Sequence, residues 1–209
     1  MATTTVRRGG TAAVAGGTFW ALLPVVFTAT HLGDTPRGTL SFAAVAFAYW
    51  AVGVASLLLL LVGLGGLRPA LREGRLADVG IAVCGVGLLA MLLGNGTEVA
   101  TLTFAGAESD LGHSAFLLGF LVLVVGSLLL GIALLRRRPS AGIRWAAVLL
   151  VALLPVGIGI AVLGGVLSPT SDAGFWAAIA VPTGIAWILL GRSVPAEHRA
   201  AAPEFVPAA

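Results

Sequence analysis

Charged side chains are scarce in this sequence of 209 residues. Only 10% of the residues are Asp, Glu, Lys or Arg, whereas soluble domains carry about 25%. Hydrophobic residues make up 58% of the chain, and the mean hydropathy is +1.05. Water wets a surface with so few charges poorly, so the composition excludes an ordinary soluble domain and indicates an integral membrane protein.

Lysine is absent, so all twelve positively charged residues are arginines. This absence excludes a lysine Schiff base, a lysine nucleophile and the lysine of a phosphate-binding P-loop. The single cysteine, Cys84, excludes an internal disulfide and a multi-cysteine metal site. The net charge of +3 does not predict a nucleic-acid partner, because the arginines flank hydrophobic runs and form no single basic domain.

Long apolar runs make up most of the sequence. Each run approaches the roughly 20 residues that carry a helix across a bilayer, and none alternates as the strands of an outer-membrane barrel do. The predicted fold is therefore an all-α, polytopic transmembrane bundle of about six helices. The predicted spans are residues 11–32, 39–66, 79–97, 111–135, 145–167 and 174–191.

The distribution of arginine predicts the orientation of these helices. If the polar segments between the spans are assigned in turn to the two faces of the membrane, eleven of the twelve arginines fall on one face and only Arg37 falls on the other. Arginine is retained on the cytoplasmic face, so we expect a multi-pass protein of the cell membrane with both termini in the cytoplasm. Residues 1–192 form one transmembrane domain in this interpretation. Residues 193–209, which include a solvated His198, form a short disordered cytoplasmic tail.

Polar residues gather where three predicted helices meet the outer face. Two imidazoles and several carboxylates could bind zinc, form a bis-histidine haem site or act as an acid and base. Each of these sites requires the first and fourth helices to be neighbours. The candidate ligand or metal residues are His31, Asp34, Glu98, Asp110 and His113.

Structural roles explain the same residues without a site. Ser109 or Asp110 can cap the fourth helix, and Glu98 can mark where the third helix meets water. Positive-inside sorting also leaves an acidic outer face. Residues 99–106 can extend the third helix, lie on the membrane surface or cover the polar residues. Asn95 begins a glycosylation sequon, but it lies so close to the membrane that we do not expect it to be modified.

Two further patterns have both structural and functional interpretations. A small-residue stripe on the fifth helix predicts close helix packing, either inside the bundle or between copies of the chain; its residues are Gly157, Ala161 and Gly165. Three tryptophans lie deep in the predicted spans and either pack against neighbours or form an aromatic wall around a ligand; they are Trp20, Trp50 and Trp187.

No catalytic, cofactor or transport motif identifies an activity, and the sequence requires no cofactor. The leading hypothesis is a non-enzymatic membrane protein that binds or moves a small or lipophilic ligand, or that serves as the membrane subunit of a complex. The second hypothesis is a membrane enzyme or redox protein with a metal or haem site on His31, Glu98 and His113. The third is a structural homo-oligomer. The lipid bilayer is the partner common to all three.

Overall fold

A computed structural model describes residues 2–29, 40–72, 74–107, 109–137, 139–167 and 172–200. These residues form six α-helices and contain no β-strand, which confirms the predicted all-α class. The helices are α1 (Ala2–Ala29), α2 (Leu40–Leu71), α3 (Arg75–Ala105), α4 (Asp110–Leu135), α5 (Ala141–Leu167) and α6 (Asp172–Ala200).

Five helices contain described stretches that are long and apolar enough to cross a membrane. These stretches are Thr4–Val26, Ala44–Leu71, Arg75–Ala105, Asp110–Leu135 and Ile179–Ala200. The corresponding described stretch of α5 is the shorter Ala141–Leu153, within a helix of 27 residues. In hydrocarbon every backbone amide must be satisfied internally, and helices achieve this without a neighbour. The chain is accordingly a multi-pass membrane protein built as a helical bundle.

The six helices form a ring. Each helix packs against the next one along the chain, and α6 returns to pack against α1. Successive helices run antiparallel, so α1 begins and α6 ends at the same end of the bundle. We call the end with Ala2 and Ala200 the termini face and the other end the opposite face. Helices α1 and α4 lie across the ring from each other and are not among the pairs that pack together.

Glycines spaced seven residues apart bring the helices of three pairs into backbone contact: α1 with α2, α1 with α6 and α3 with α4. On α1 and α6, a Cβ at Gly17 would lie 2.6 Å from the carbonyl oxygen of Gly184, and a Cβ at Gly191 would lie 2.5 Å from that of Gly10. On α3, a Cβ at Gly87 would lie 2.5 Å from a backbone nitrogen of α4. Only a residue without a side chain permits such an approach, which is how membrane helices pack closely.

The predicted packing stripe on α5 falls largely outside the described side chains. Gly157, Ala161 and Gly165 lie within the helix, but their surroundings are not among the described contacts. A close-packing role for them stays a prediction. The glycine contacts that the structure does describe were not predicted from the sequence, although their spacing of seven residues is visible in it.

Several helices extend further than the apolar runs predicted. Helix α3 ends at Ala105 and not at residue 97, so residues 99–105 extend the helix, as one of the three alternatives proposed. Helix α6 continues to Ala200, so residues 193–200 are helical and differ from the predicted disordered tail; residues 201–209 lie outside the described part. Val194 is 3% exposed, and this packing holds the last turns of α6. An apolar run marks the hydrocarbon, whereas the helix continues wherever packing and backbone hydrogen bonds support it.

Candidate functional site

Glu98 is a buried carboxylate that joins the end of α3 to the start of α4. Its side chain is 1% exposed, and its Oε2 accepts a hydrogen bond from the backbone nitrogen of Ser109 at 3.0 Å. Ser109 caps α4 by accepting from the nitrogen of Gly112, also at 3.0 Å. Gly106 ends α3 in the left-handed conformation, with φ of 64°. The carboxylate thus satisfies a backbone donor at the positive end of a helix.

The other described candidates of the outer-face cluster point elsewhere. Asp110 and His113 are exposed on α4, whereas the neighbouring Gly112 and Phe116 are the buried residues of that helix. His31 and Asp34 lie outside the described residues. In the described part of the chain, α1 and α4 are not among the helix pairs that pack extensively. The site on His31 and His113 stays a prediction, because His31 lies outside that part. Among the residues searched, no group of three or more His, Cys, Asp or Glu could hold a metal.

Replacing Glu98 tests its structural role. We expect Glu98→Ala to lower the free energy of unfolding by about 1–3 kcal/mol, because it leaves the buried backbone donor of Ser109 unpaired. Glu98→Gln keeps a carbonyl acceptor and should therefore lower the free energy of unfolding less than Glu98→Ala does. Unfolding in detergent measures the difference, and Asp110→Asn, an exposed change directly after Ser109, is the control. A Glu98→Ala protein as stable as the control would contradict this role.

A small cavity lies within the ring, toward the opposite face. Its volume is about 20 Å³, roughly the space that one water molecule or one hydroxyl group fills. Five helices of the ring contribute to its wall. The lining residues are Trp20, Leu23 and Pro24 of α1, Tyr49, Trp50 and Gly53 of α2, Asn95 of α3, Phe116 of α4 and Ala180 of α6.

Three residues that line this cavity carry unsatisfied polar atoms. Among the described residues, the indole Nε1 atoms of Trp20 and Trp50 and the Oδ1 of Asn95 are buried without a hydrogen-bond partner. Trp20 is 2% exposed and Asn95 is 1% exposed. An unpaired buried polar group costs about 1–3 kcal/mol. Residues with two unpaired donors and one unpaired acceptor therefore line a single space, where a small polar group could satisfy them.

The aromatic rings around the cavity support one another. The ring centroids of Tyr49 and Trp50 are 5.1 Å apart at an interplanar angle of 73°, and those of Trp50 and Phe116 are 6.2 Å apart at 75°. These edge-to-face arrangements are favourable for aromatic pairs. They fix the ring of Trp50 between a neighbour on its own helix and one on α4.

Local sequence places the polar groups of the site. Gly53 faces Asn95 across the boundary between α2 and α3, since a Cβ at residue 53 would lie 2.7 Å from the Nδ2 of Asn95. Pro24 has no N–H group to donate to the carbonyl of Trp20, four residues earlier in α1. Gly53 therefore leaves space for the amide of Asn95, and Pro24 removes one helical hydrogen bond at Trp20.

Sequence reasoning found part of this site. It gave Trp20 and Trp50 a possible role as an aromatic wall, and the structure brings both to one cavity. Trp187 is fully buried in the core and does not line the cavity. Asn95 was considered only as the end of a helix and as a sequon. Its buried side chain beside Gly53 is not presented for glycosylation. The missed signal was a lone amide in an apolar run, ten residues before α3 ends.

Neither a protein-family model nor a curated protein nor a solved structure matches this chain.

Proposed function

We propose that this protein binds a small, uncharged, lipophilic molecule that carries one hydroxyl or carbonyl oxygen. The observation that supports the proposal is that Trp20, Trp50 and Asn95, which carry unsatisfied buried polar atoms, all line one cavity. A hydroxyl can accept from an indole N–H and donate to the amide oxygen, and a carbonyl can accept from both indoles. The space of about 20 Å³ accommodates that oxygen and no more. The helices must therefore move apart to admit the apolar body of the ligand beside the buried side chains of Leu23 and Phe116.

The proposal places the protein in the cell membrane with both termini in the cytoplasm. Eleven of the twelve arginines support this orientation. The cavity then lies in the outer half of the bilayer. Asn95 precedes the end of α3 by ten residues, which at about 1.5 Å per residue places it about 15 Å from that end. A ligand at this depth reaches the site from the lipid phase.

A matched set of eight-carbon probes tests the chemistry of the site. In mild detergent, 1-octanol and 2-octanone should raise the melting temperature more than octane does, because only they offer an oxygen to the cavity. A ligand present at one hundred times its dissociation constant stabilises the folded state by about 2.7 kcal/mol. Trp20→Phe removes one indole donor and should reduce the effect of both oxygenated probes.

The control is Trp187→Phe, which removes an equally buried and unpaired indole that does not line the cavity. It should leave the response to the three probes unchanged. Equal stabilisation by octane and 1-octanol in the unmodified protein would contradict a polar requirement at the site. Equal effects of the two tryptophan substitutions would show that the response does not arise at this cavity.

A further inference from the structure

A second concave site lies at the termini face, between the first turns of α1 and the last turns of α6. It is a cleft of about 240 Å³ lined by Thr4 and Arg7 of α1 and by Pro195, His198 and Arg199 of α6. His198 also lines an adjoining cavity. This residue was predicted to lie in a disordered tail, whereas the structure places it, partly buried, in α6.

The close crossing of α1 and α6 fixes the two sides of this cleft. Gly10 and Gly191 bring the helix backbones together, because a Cβ at Gly191 would lie 2.5 Å from the carbonyl oxygen of Gly10. Arg7 lies three residues before Gly10, and Arg199 lies two turns after Gly191. The two guanidinium groups are therefore carried on helical turns whose backbones are anchored to each other.

Charge in the cleft is positive and uncompensated within the described residues. Arg7 and Arg199 form no ion pair with a described carboxylate. The Nε of Arg199 donates to the carbonyl of Pro195 at 3.3 Å, which leaves its two terminal nitrogens as donors. The nearby Glu197 lines the adjoining cavity and not this cleft, and its Oε2 accepts from the hydroxyl of Ser140 at 3.2 Å.

Such donors suit a phosphate group. Guanidinium groups match phosphate oxygens through paired hydrogen bonds, and a threonine hydroxyl can add another. Arginines gather at this end of the helices, where positive-inside sorting places the lipid headgroups. The cleft therefore lies at the level where hydrocarbon gives way to lipid headgroups.

We propose that this cleft binds the phosphate group of an anionic phospholipid or of a soluble phosphate ester. Arg7 and Arg199 hold its oxygens from opposite sides. Positive-inside sorting explains why arginine is abundant at this face, but it does not explain why two arginines from different helices line one cleft with Thr4. This site is separate from the aromatic cavity, and its failure would leave the function proposed above unaffected.

The test titrates the full chain, in uncharged detergent, with dihexanoylphosphatidylglycerol. Dihexanoylglycerol, which lacks the phosphate, and inorganic phosphate are the parallel ligands. The double variant Arg7→Gln and Arg199→Gln should weaken binding of the phospholipid by about tenfold or more, since each lost charged hydrogen bond costs at least that much. The matched control is Arg8→Gln with Arg192→Gln, which removes exposed arginines of the same two helices that do not line the cleft; it should change binding less than about twofold.

The three ligands distinguish a lipid phosphate from a soluble phosphate. Saturable binding of the phospholipid without competition by inorganic phosphate identifies a headgroup site. Competition by inorganic phosphate identifies a site for soluble phosphates. Either result supports the proposal if the Arg7 and Arg199 double variant loses the binding. Equal weakening by the two double variants would overturn the proposal, because it would show only attraction to a basic face. Binding of dihexanoylglycerol as tight as that of the phospholipid would also overturn it.

Discussion

Asn95→Leu is expected to stabilise the ligand-free protein and to weaken ligand binding at the aromatic cavity. Leucine has nearly the shape of asparagine and carries no polar atom, so it removes the buried, unpaired Oδ1. Relief of that atom should raise the free energy of unfolding by about 1–2 kcal/mol. The same change removes the acceptor that we propose for a ligand hydroxyl, so the affinity for 1-octanol should fall by about tenfold. A gain in stability with a loss of binding is typical of a residue kept for function.

Two measurements on the same samples check this prediction. Unfolding without ligand gives the change in stability, and titration with 1-octanol and octane gives the change in affinity. Trp187→Phe serves again as the control at a buried site outside the cavity. If Asn95→Leu destabilised the protein by several kcal/mol, the asparagine would have a structural role and the proposed site would lose its acceptor.

The second large effect is expected from Gly184→Val, which should separate α6 from α1. A Cβ at Gly184 would lie 2.5 Å from the carbonyl oxygen of Gly17 and 3.0 Å from the backbone nitrogen of Ala21. Backbone atoms of a helix cannot rotate away as a side chain can, so the two helices must move apart. We expect a loss of about 3 kcal/mol, at the upper end of what overpacking causes. Because Ala180 lies on the same helix one turn away and lines the cavity, probe binding should weaken as well.

Gly65→Val provides the matched control for this change. Nothing lies within 4 Å of a Cβ at Gly65, which is exposed on α2, so the added methyl groups meet open space. Its melting temperature should stay close to that of the unmodified protein. Equal destabilisation by both substitutions would mean that the loss comes from replacing glycine by valine in a helix and not from the contact between α1 and α6.

The fold follows from the sequence because hydrocarbon imposes a simple requirement on it. Six apolar runs predicted six helices, and all six exist. Their ends were less predictable, since composition changes at the edge of the hydrocarbon but hydrogen bonding does not. Residues 99–105 illustrate this: they follow Glu98 and are only mildly apolar in sequence, and they continue α3 to Ala105.

The sites depend on which helices are neighbours, and the sequence does not show directly which helices are adjacent. The predicted site on His31 and His113 requires α1 and α4 to approach each other. In the described part of the chain α1 packs extensively against α2 and α6, and the site stays a prediction because His31 lies outside that part. The aromatic cavity required Trp20 of α1, Trp50 of α2 and Asn95 of α3 to converge, which only the ring arrangement explains. A recurring glycine at every seventh residue, as at Gly10 and Gly17, could have identified which helices pack closely, though not with which partner.

The most direct test of ligand binding at the aromatic cavity is mass spectrometry of the protein extracted gently from its native membrane. The unmodified protein and Trp187→Phe should both retain an apolar molecule that contains a hydroxyl or carbonyl oxygen, and Asn95→Leu should lose it. Retention of the same molecule by all three proteins, or by none of them, would contradict the proposal that the cavity of Trp20, Trp50 and Asn95 is a binding site.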